Sequence, residues 1–168
     1  MDRIDETARE IKNLEIQGAT SIAVRAVEAL RDDLLAADSQ STAQRVLAEG
    51  VKKLVDTRET EPMMRNGLRY LQKNLSGKWT SFEKFSAQVK KASSEVLEFY
   101  DKARKNIVEI GSKRVREGDT VFTHCHSSAV TETLIRAHES GKRFRVIQTE
   151  TRPKYQGRIT ARELVEAG

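Results

Sequence analysis

From Phe82 to Ile110 the apolar residues Phe82, Phe85, Val89, Ala92, Val96, Phe99, Ala103, Ile107 and Ile110 recur at spacings of three and four. That period keeps them on one face of an α-helix and fits neither strand nor loop. The pattern predicts a single helix from about Ser81 to Arg116. A helix of that length is expected to form the spine of a helical domain, with its phenylalanines in the core and a face able to meet a partner helix.

The residues before it also read as helices. Ile4, Ala8, Ile11 and Leu14 share one helical face, and the segment Ile16-Gln17-Gly18-Ala19-Thr20 breaks it before a second helix carrying Ile22, Val27, Leu30 and Leu34. Ser41 or Thr42 is placed to cap a third helix with Val46, Leu47, Val51 and Leu54 inward. Pro62 suits the first turn of a fourth, which carries Met64, Leu68, Leu71 and Leu75.

At Gly118-Asp119 the period changes. Thr120-Val121-Phe122-Thr123 reads as a short strand, Ala129 to Ser140 as a helix stopped by Gly141, and Phe144 to Thr149 as a second strand. A strand, helix and strand in that order call for parallel pairing through a crossover, and Thr160 to Ala167 reads as the next crossover helix. The fold class is therefore α/β, with a helical N-terminal domain over residues 1–117 and the first strand-helix-strand part of a parallel sheet over 118–168. Two parallel strands leave too many backbone groups unpaired to stand alone. The expectation is that this chain is a piece of a larger α/β domain or that another chain completes the sheet.

Composition narrows the class. Charged residues make up 33% and hydrophobic residues 38% of 168, with two prolines, which suits a folded, helix-rich protein with charged outer faces. One cysteine excludes an internal disulfide. With no charged-then-apolar leader at the start, a reducing cytoplasmic setting is favoured. No apolar run approaches the roughly 18 residues of a membrane span, so no membrane partner is expected. The net charge of +5 fits an anionic ligand such as a sugar phosphate, RNA contact or a merely solvated basic surface, and a nucleic-acid partner is disfavoured only once the motifs are weighed.

Two polar clusters carry the candidate chemistry. The first, Thr123-His124-Cys125-His126-Ser127-Ser128-Ala129, places the sole cysteine between two histidines, past one strand and before a helix. The second, Thr149 to Arg158, follows the other strand. Ligands of open parallel sheets bind outside the carboxyl ends of the strands, where both clusters fall. The N–H groups of Ser127, Ser128 and Ala129 would open the helix toward a phosphate, and the same dipole beside an imidazolium would favour a thiolate at Cys125. Cys125 is thus a candidate base or nucleophile, although a lone cysteine is more often a small buried hydrophobe. Its histidine neighbours are a weak zinc pattern, and neither a metal nor a cofactor is assigned. Arg152, Lys154 and Arg158 offer a second anion clamp or a solvated basic loop. Gly18-Ala19-Thr20 before a helix is a further phosphate cradle, and Arg58 and Arg65 flank the start of the fourth helix.

The run Thr-His-Cys-His-Ser-Ser-Ala-Val, with the later Gln-Thr-Glu-Thr-Arg-Pro-Lys-Tyr-Gln-Gly-Arg-Ile-Thr-Ala-Arg-Glu-Leu, resembles the family joining the translation initiation factor 2B alpha, beta and delta subunits with sugar-phosphate isomerases. It stands nearest the branch of the archaeal ribose-1,5-bisphosphate isomerases. The resemblance covers essentially the whole chain and implies a helical domain followed by a Rossmann-like domain. It implies conversion of ribose 1,5-bisphosphate to ribulose 1,5-bisphosphate in AMP degradation, with a nucleotide as a candidate activator, while the long helix and the unfinished sheet predict a homo-oligomer. In that family pattern Cys125 is the catalytic cysteine and moves a proton during the aldose-ketose change. Ser127, Ser128 and Ala129 match a phosphate-contacting segment, Gly18, Ala19 and Thr20 a substrate loop, and Arg58 a substrate-contacting arginine. Gln17 stands where the family usually has arginine, and Arg58-Glu59-Thr60 replaces Arg-Pro-Thr. The family's catalytic aspartate and a later lysine align beyond Gly168. The alternative within the same family is a non-catalytic, initiation factor 2B-like regulatory subunit that binds a partner protein and senses a nucleotide or sugar phosphate.

Overall fold

A computed structural model describes all 168 residues. They form seven helices and one pair of parallel strands, in two compact units, Met1–Tyr100 and Asp101–Gly168. The chain passes from one unit to the other inside its longest helix.

In the first unit α1 (Asp2–Lys12), α2 (Ala19–Leu35), α3 (Gln40–Val55) and α4 (Pro62–Leu75) pack with the first part of α5 (Phe82–Arg114). The core follows the apolar period: Ile4, Ile22, Leu30, Leu54, Leu68 and Phe85 are almost fully buried. Four helix starts are fixed by side-chain oxygens, that of α5 by the Ser81 hydroxyl, which accepts the Lys84 N–H at 3.2 Å. The Ser39 hydroxyl accepts the Thr42 N–H at 3.2 Å, so the cap lies two residues before Ser41 and three before Thr42, and the Glu61 carboxylate accepts Met63 N–H beside Pro62 in the first turn. The start of α1 is served from another helix, with the Asp33 carboxylate accepting the N–H groups of Arg3 at 3.3 Å and Ile4 at 3.0 Å. Leu14 does not continue the α1 face: the helix ends at Lys12, and Leu14 takes a left-handed turn (φ 60°) with its side chain exposed.

The apolar stripe of α5 divides in the same way. Phe85, Val89, Ala92, Val96 and Tyr100 are buried, while Phe99, Ile107 and Ile110 are 67%, 55% and 60% exposed. Helical spacing says which residues share a face. It does not say what lies against that face.

In the second unit β1 (Thr120–Thr123) and β2 (Arg145–Gln148) pair in parallel, with Thr120 opposite Arg145 and Thr123 opposite Gln148. The crossover between them is α6 (Ser128–Glu139), and α7 (Gly157–Glu166) packs on α6 and β2. The end of α5 meets α6 closely enough for Arg104 to pair with Glu132 at 2.8 Å. The Lys142 ammonium donates to the carbonyls of Ser112 and Val115 at 2.7 Å each, where the α5 dipole is negative. Strand alternation leaves Val121 and Val146 half-buried on one face of the sheet and exposes the paired Phe122 and Ile147 on the other. No helix is long and apolar enough to cross a membrane.

Candidate active site

The carboxyl ends of β1 and β2 are tied together by side chains. Pairing continues one step past the strands, with the Thr149 N–H donating to the Thr123 carbonyl at 3.2 Å. Beyond it the two polar clusters interlock. His124 Nδ1 lies 2.7 Å from the Thr149 hydroxyl, the Cys125 N–H donates to the Thr151 hydroxyl oxygen at 2.9 Å, and the Gln148 amide donates to the Cys125 carbonyl at 2.6 Å.

Cys125 is partly buried and takes a left-handed backbone conformation, φ 65°. A residue with a Cβ adopts that region at a cost, and the hydrogen bonds on its N–H and carbonyl offset it. The next residues extend, with Ser127 at φ −144° before α6 begins at Ser128. The Ser127 carbonyl accepts the Thr131 N–H at 2.9 Å, so the N–H groups of Ser128 and Ala129 fall in the first turn, where a helix has no internal acceptor for them. Ser127 and Ser128 are exposed and Ala129 is half-buried. This is a strand-turn-helix with outward donors at a positive dipole end, chemistry suited to an anion.

His126 is held from α7. Its Nδ1 lies 3.0 Å from the hydroxyl of the buried Thr160 and 3.9 Å from the Glu163 carboxylate, and the Thr160 hydroxyl also donates to the Cys125 carbonyl at 3.3 Å. Gln148, Thr160 and Glu163 lie outside the two polar clusters legible in the sequence, and Thr151 lies inside the second with no role of its own marked. Only their places, Gln148 as the last residue of β2, Thr151 three residues beyond it, and Thr160 and Glu163 on the next helix, could have drawn notice.

The basic loop is internally compensated. Glu150 accepts from Arg152 Nε at 3.1 Å and Arg158 Nε at 2.8 Å, and Arg158 also stacks 4.4 Å from the ring centroid of Tyr155. The Arg158 hydrogen bond first, then that of Arg152, holds the Glu150 carboxyl below the usual carboxylate range. An incoming anion would compete with Glu150 for both guanidinium groups.

The remaining candidates lie in the first unit. Gly18 (φ 85°) caps α2, Ala19 and Thr20 are its first helical residues, and the Ile22 N–H donates to the Gly18 carbonyl at 3.0 Å. Gln17 folds back to donate to the Leu14 carbonyl at 2.9 Å. Arg58 is exposed in the turn after α3, its N–H on the Val55 carbonyl and its own carbonyl accepting the Glu61 N–H. Arg65 donates to the Glu59 carbonyl at 3.0 Å. Among metal-binding residue types, no group of three or more His, Cys, Asp or Glu converges.

Comparison with known proteins gives the family of the chain. The model of the initiation factor 2 subunit family matches residues 15–168. The ribose 1,5-bisphosphate isomerase of Pyrococcus furiosus is 38% identical over 168 residues, covering 97% of this chain and 52% of that protein. The enzyme of the same name from Archaeoglobus fulgidus is 36% identical, covering 100% and 52%. The chain thus spans about half the length of the curated relatives it matches. Among solved structures, the Pyrococcus horikoshii translation initiation factor eIF-2B superposes with a TM-score of 0.85 at 28% identity, covering all of this chain and 57% of that one. The fold is shared with 5-methylthioribose 1-phosphate isomerase from the same organism, at a TM-score of 0.82, 19% identity and coverage of 99% and 50%. An α/β chain with a helical N-terminal part, a parallel strand-helix-strand unit and a match over most of its length belongs to the initiation factor 2 subunit family.

Proposed function

We propose that this chain supplies the N-terminal helical part and the first strand-helix-strand unit of an aldose-ketose isomerase that converts ribose 1,5-bisphosphate to ribulose 1,5-bisphosphate. The observation that carries the reading is a reactive residue type in the right place: Cys125 stands at the carboxyl end of β1, ahead of the exposed helix start at Ser128. Archaeal relatives 34–39% identical over nearly the whole chain carry that enzyme's name, which supports the same assignment.

The reaction needs proton movement only. The C2 proton leaves as the bond from C1 to the ring oxygen breaks and that oxygen gains a proton, giving an enediol phosphate. C1 then gains a proton as the 2-hydroxyl loses one, and the ketone forms with atoms and charge conserved. Cys125 is the proton carrier at the sugar carbon. The N–H groups of Ser127, Ser128 and Ala129 bind one phosphate, and Gly18, Ala19, Thr20 and Arg58 are assigned to the substrate from the family pattern.

The working protein is a cytoplasmic homo-oligomer under nucleotide activation, and it uses no metal or organic cofactor. Structures of relatives such as the tetrameric eIF2B-beta2-delta2 complex of Chaetomium thermophilum support assembly. The regulatory-subunit reading is less favoured, because the initiation factor relatives are less similar: the delta subunit of Schizosaccharomyces pombe is 32% identical over 68% of the chain and an eIF-2B subunit 2-like protein of Pyrococcus horikoshii 29% identical over 99% of it, against 34–39% for the isomerases.

The test is incubation of ribose 1,5-bisphosphate with the whole isomerase of which this chain is proposed to be a part, and with its Cys125→Ser variant, following the ketose by phosphorus NMR. The parent is expected to form ribulose 1,5-bisphosphate and the variant at most a hundredth as fast. Equal turnover in both would remove Cys125 from its role.

A further inference from the structure

Thr151 holds φ 60°. For a β-branched residue this is an outlier, and glycine would take the same turn at less cost. Facing it, Cys125 holds φ 65°, and the two left-handed residues are joined directly, with the Cys125 N–H donating to the Thr151 hydroxyl oxygen at 2.9 Å. Backbone strain of this kind persists where the surroundings over-determine it. What threonine offers here and glycine lacks is the hydroxyl.

That hydroxyl is itself anchored. It lies 3.4 Å from the Thr149 carbonyl and 3.3 Å from the Thr149 hydroxyl, which in turn meets His124 Nδ1. The other side of Cys125 is held as firmly, its carbonyl accepting from Gln148 Nε2 at 2.6 Å and from the Thr160 hydroxyl at 3.3 Å. Gln148 cannot swing away freely, since the same Nε2 also donates to the Thr149 carbonyl at 3.0 Å.

We propose that Thr151 is a positioning residue for Cys125: its hydroxyl oxygen takes the Cys125 N–H, keeps that residue left-handed, and so fixes the direction in which the thiol leaves the end of β1. Gln148 secures the peptide on the opposite side. The inference rests on the reading of Cys125 as the proton carrier, for which direction at the sugar carbon is decisive. A site that pays backbone strain at two facing residues to keep one hydrogen bond is built for placement rather than for stability.

The chain's single cysteine lets alkylation by iodoacetamide report on one thiol, and amide hydrogen exchange of Cys125 reports on its N–H. Both are measured on the parent and on Thr151→Ser, Thr151→Ala and Thr151→Gly, with the melting temperature as the control for folding. Thr151→Ser keeps the hydroxyl and is expected within twofold of the parent in both rates. Thr151→Gly relieves the strained conformation and should melt no lower than the parent. It should nevertheless exchange the Cys125 amide at least tenfold faster and alter the alkylation rate at least threefold, with Thr151→Ala behaving alike. Parent-like rates in Thr151→Gly, or a Thr151→Ser that matches Thr151→Gly, would overturn the proposal. Neither readout uses substrate, so failure of Cys125→Ser to lose turnover would sink the catalytic reading and leave the positioning result standing on its own.

Discussion

The main-chain carbonyl oxygen of Thr149 lies 1.8 Å from the point where a Cβ on Gly157 would stand. The start of α7 therefore presses directly on the end of β2, with no room for a side chain between them. Gly157→Ala must push the helix off the strand end and disturb Gln148, whose amide nitrogen is 2.8 Å from the same point. The expected cost is about 3 kcal/mol, read as a lower urea midpoint, because overpacking against backbone has no flexible side chain to yield. A midpoint within error of the parent would show that α7 can shift freely.

Glu150 sits between two arginines of the basic loop. Glu150→Gln raises the loop charge by one and releases Arg152 and Arg158 from a carboxylate competitor. Inorganic phosphate is expected to bind several-fold more tightly to the variant at low ionic strength, an advantage that fades as salt screens exposed charge. Calorimetric titration at two salt concentrations checks this. In the parent, the carboxylate grip on the arginines is present above the usual carboxylate range and is lost as pH falls through the lowered folded-state value.

Burial pushes the Tyr100 phenol up to about 12, and its hydroxyl donates to the Met63 carbonyl at 2.7 Å beside Gly67, which has no side chain to displace it. The unfolded phenol titrates near ~10. The folded state therefore keeps a proton that the unfolded state loses, and stability falls as pH rises from about 10 toward 12, by at most ~2–3 kcal/mol. Tyr100→Phe should cost about 1 kcal/mol at neutral pH and lack this alkaline component. Urea midpoints at pH 7 and pH 11 for both proteins give the comparison.

Ser39 is the side-chain cap of α3. Ser39→Ala should lower stability by ~1 kcal/mol, measured as a lower melting temperature, and Ser39→Asp should restore it. An unchanged melting temperature in the alanine variant would mean that water serves the Thr42 N–H equally well.

Local periodicity made much of this fold legible. The four residues of β1 were readable from a change of period at Gly118, and Pro62 announced α4 by the rule that proline suits a helix's first turn. The exposed half of the α5 stripe was not readable, since Ile107 and Ile110 obey the same spacing as the buried Val89 and Val96. At the site, residue type and strand-end position marked Cys125 and the Ser127–Ala129 segment. The left-handed turn at Cys125 left no trace, because nothing but glycine or asparagine advertises positive φ in a sequence. Thr151 and Thr160 were hidden for a related reason: their meaning is a contact across more than twenty residues of chain.

The Lys142 ammonium that closes the last carbonyls of α5 belongs to the turn before β2, on the far side of α6. A helix end whose stopper arrives that much later in the chain cannot be finished locally. The expectation is that during synthesis its final turn frays until α6 has formed and folded back. In the mature protein, amide protons of that turn and of the Lys142 turn should open together, with one shared protection factor.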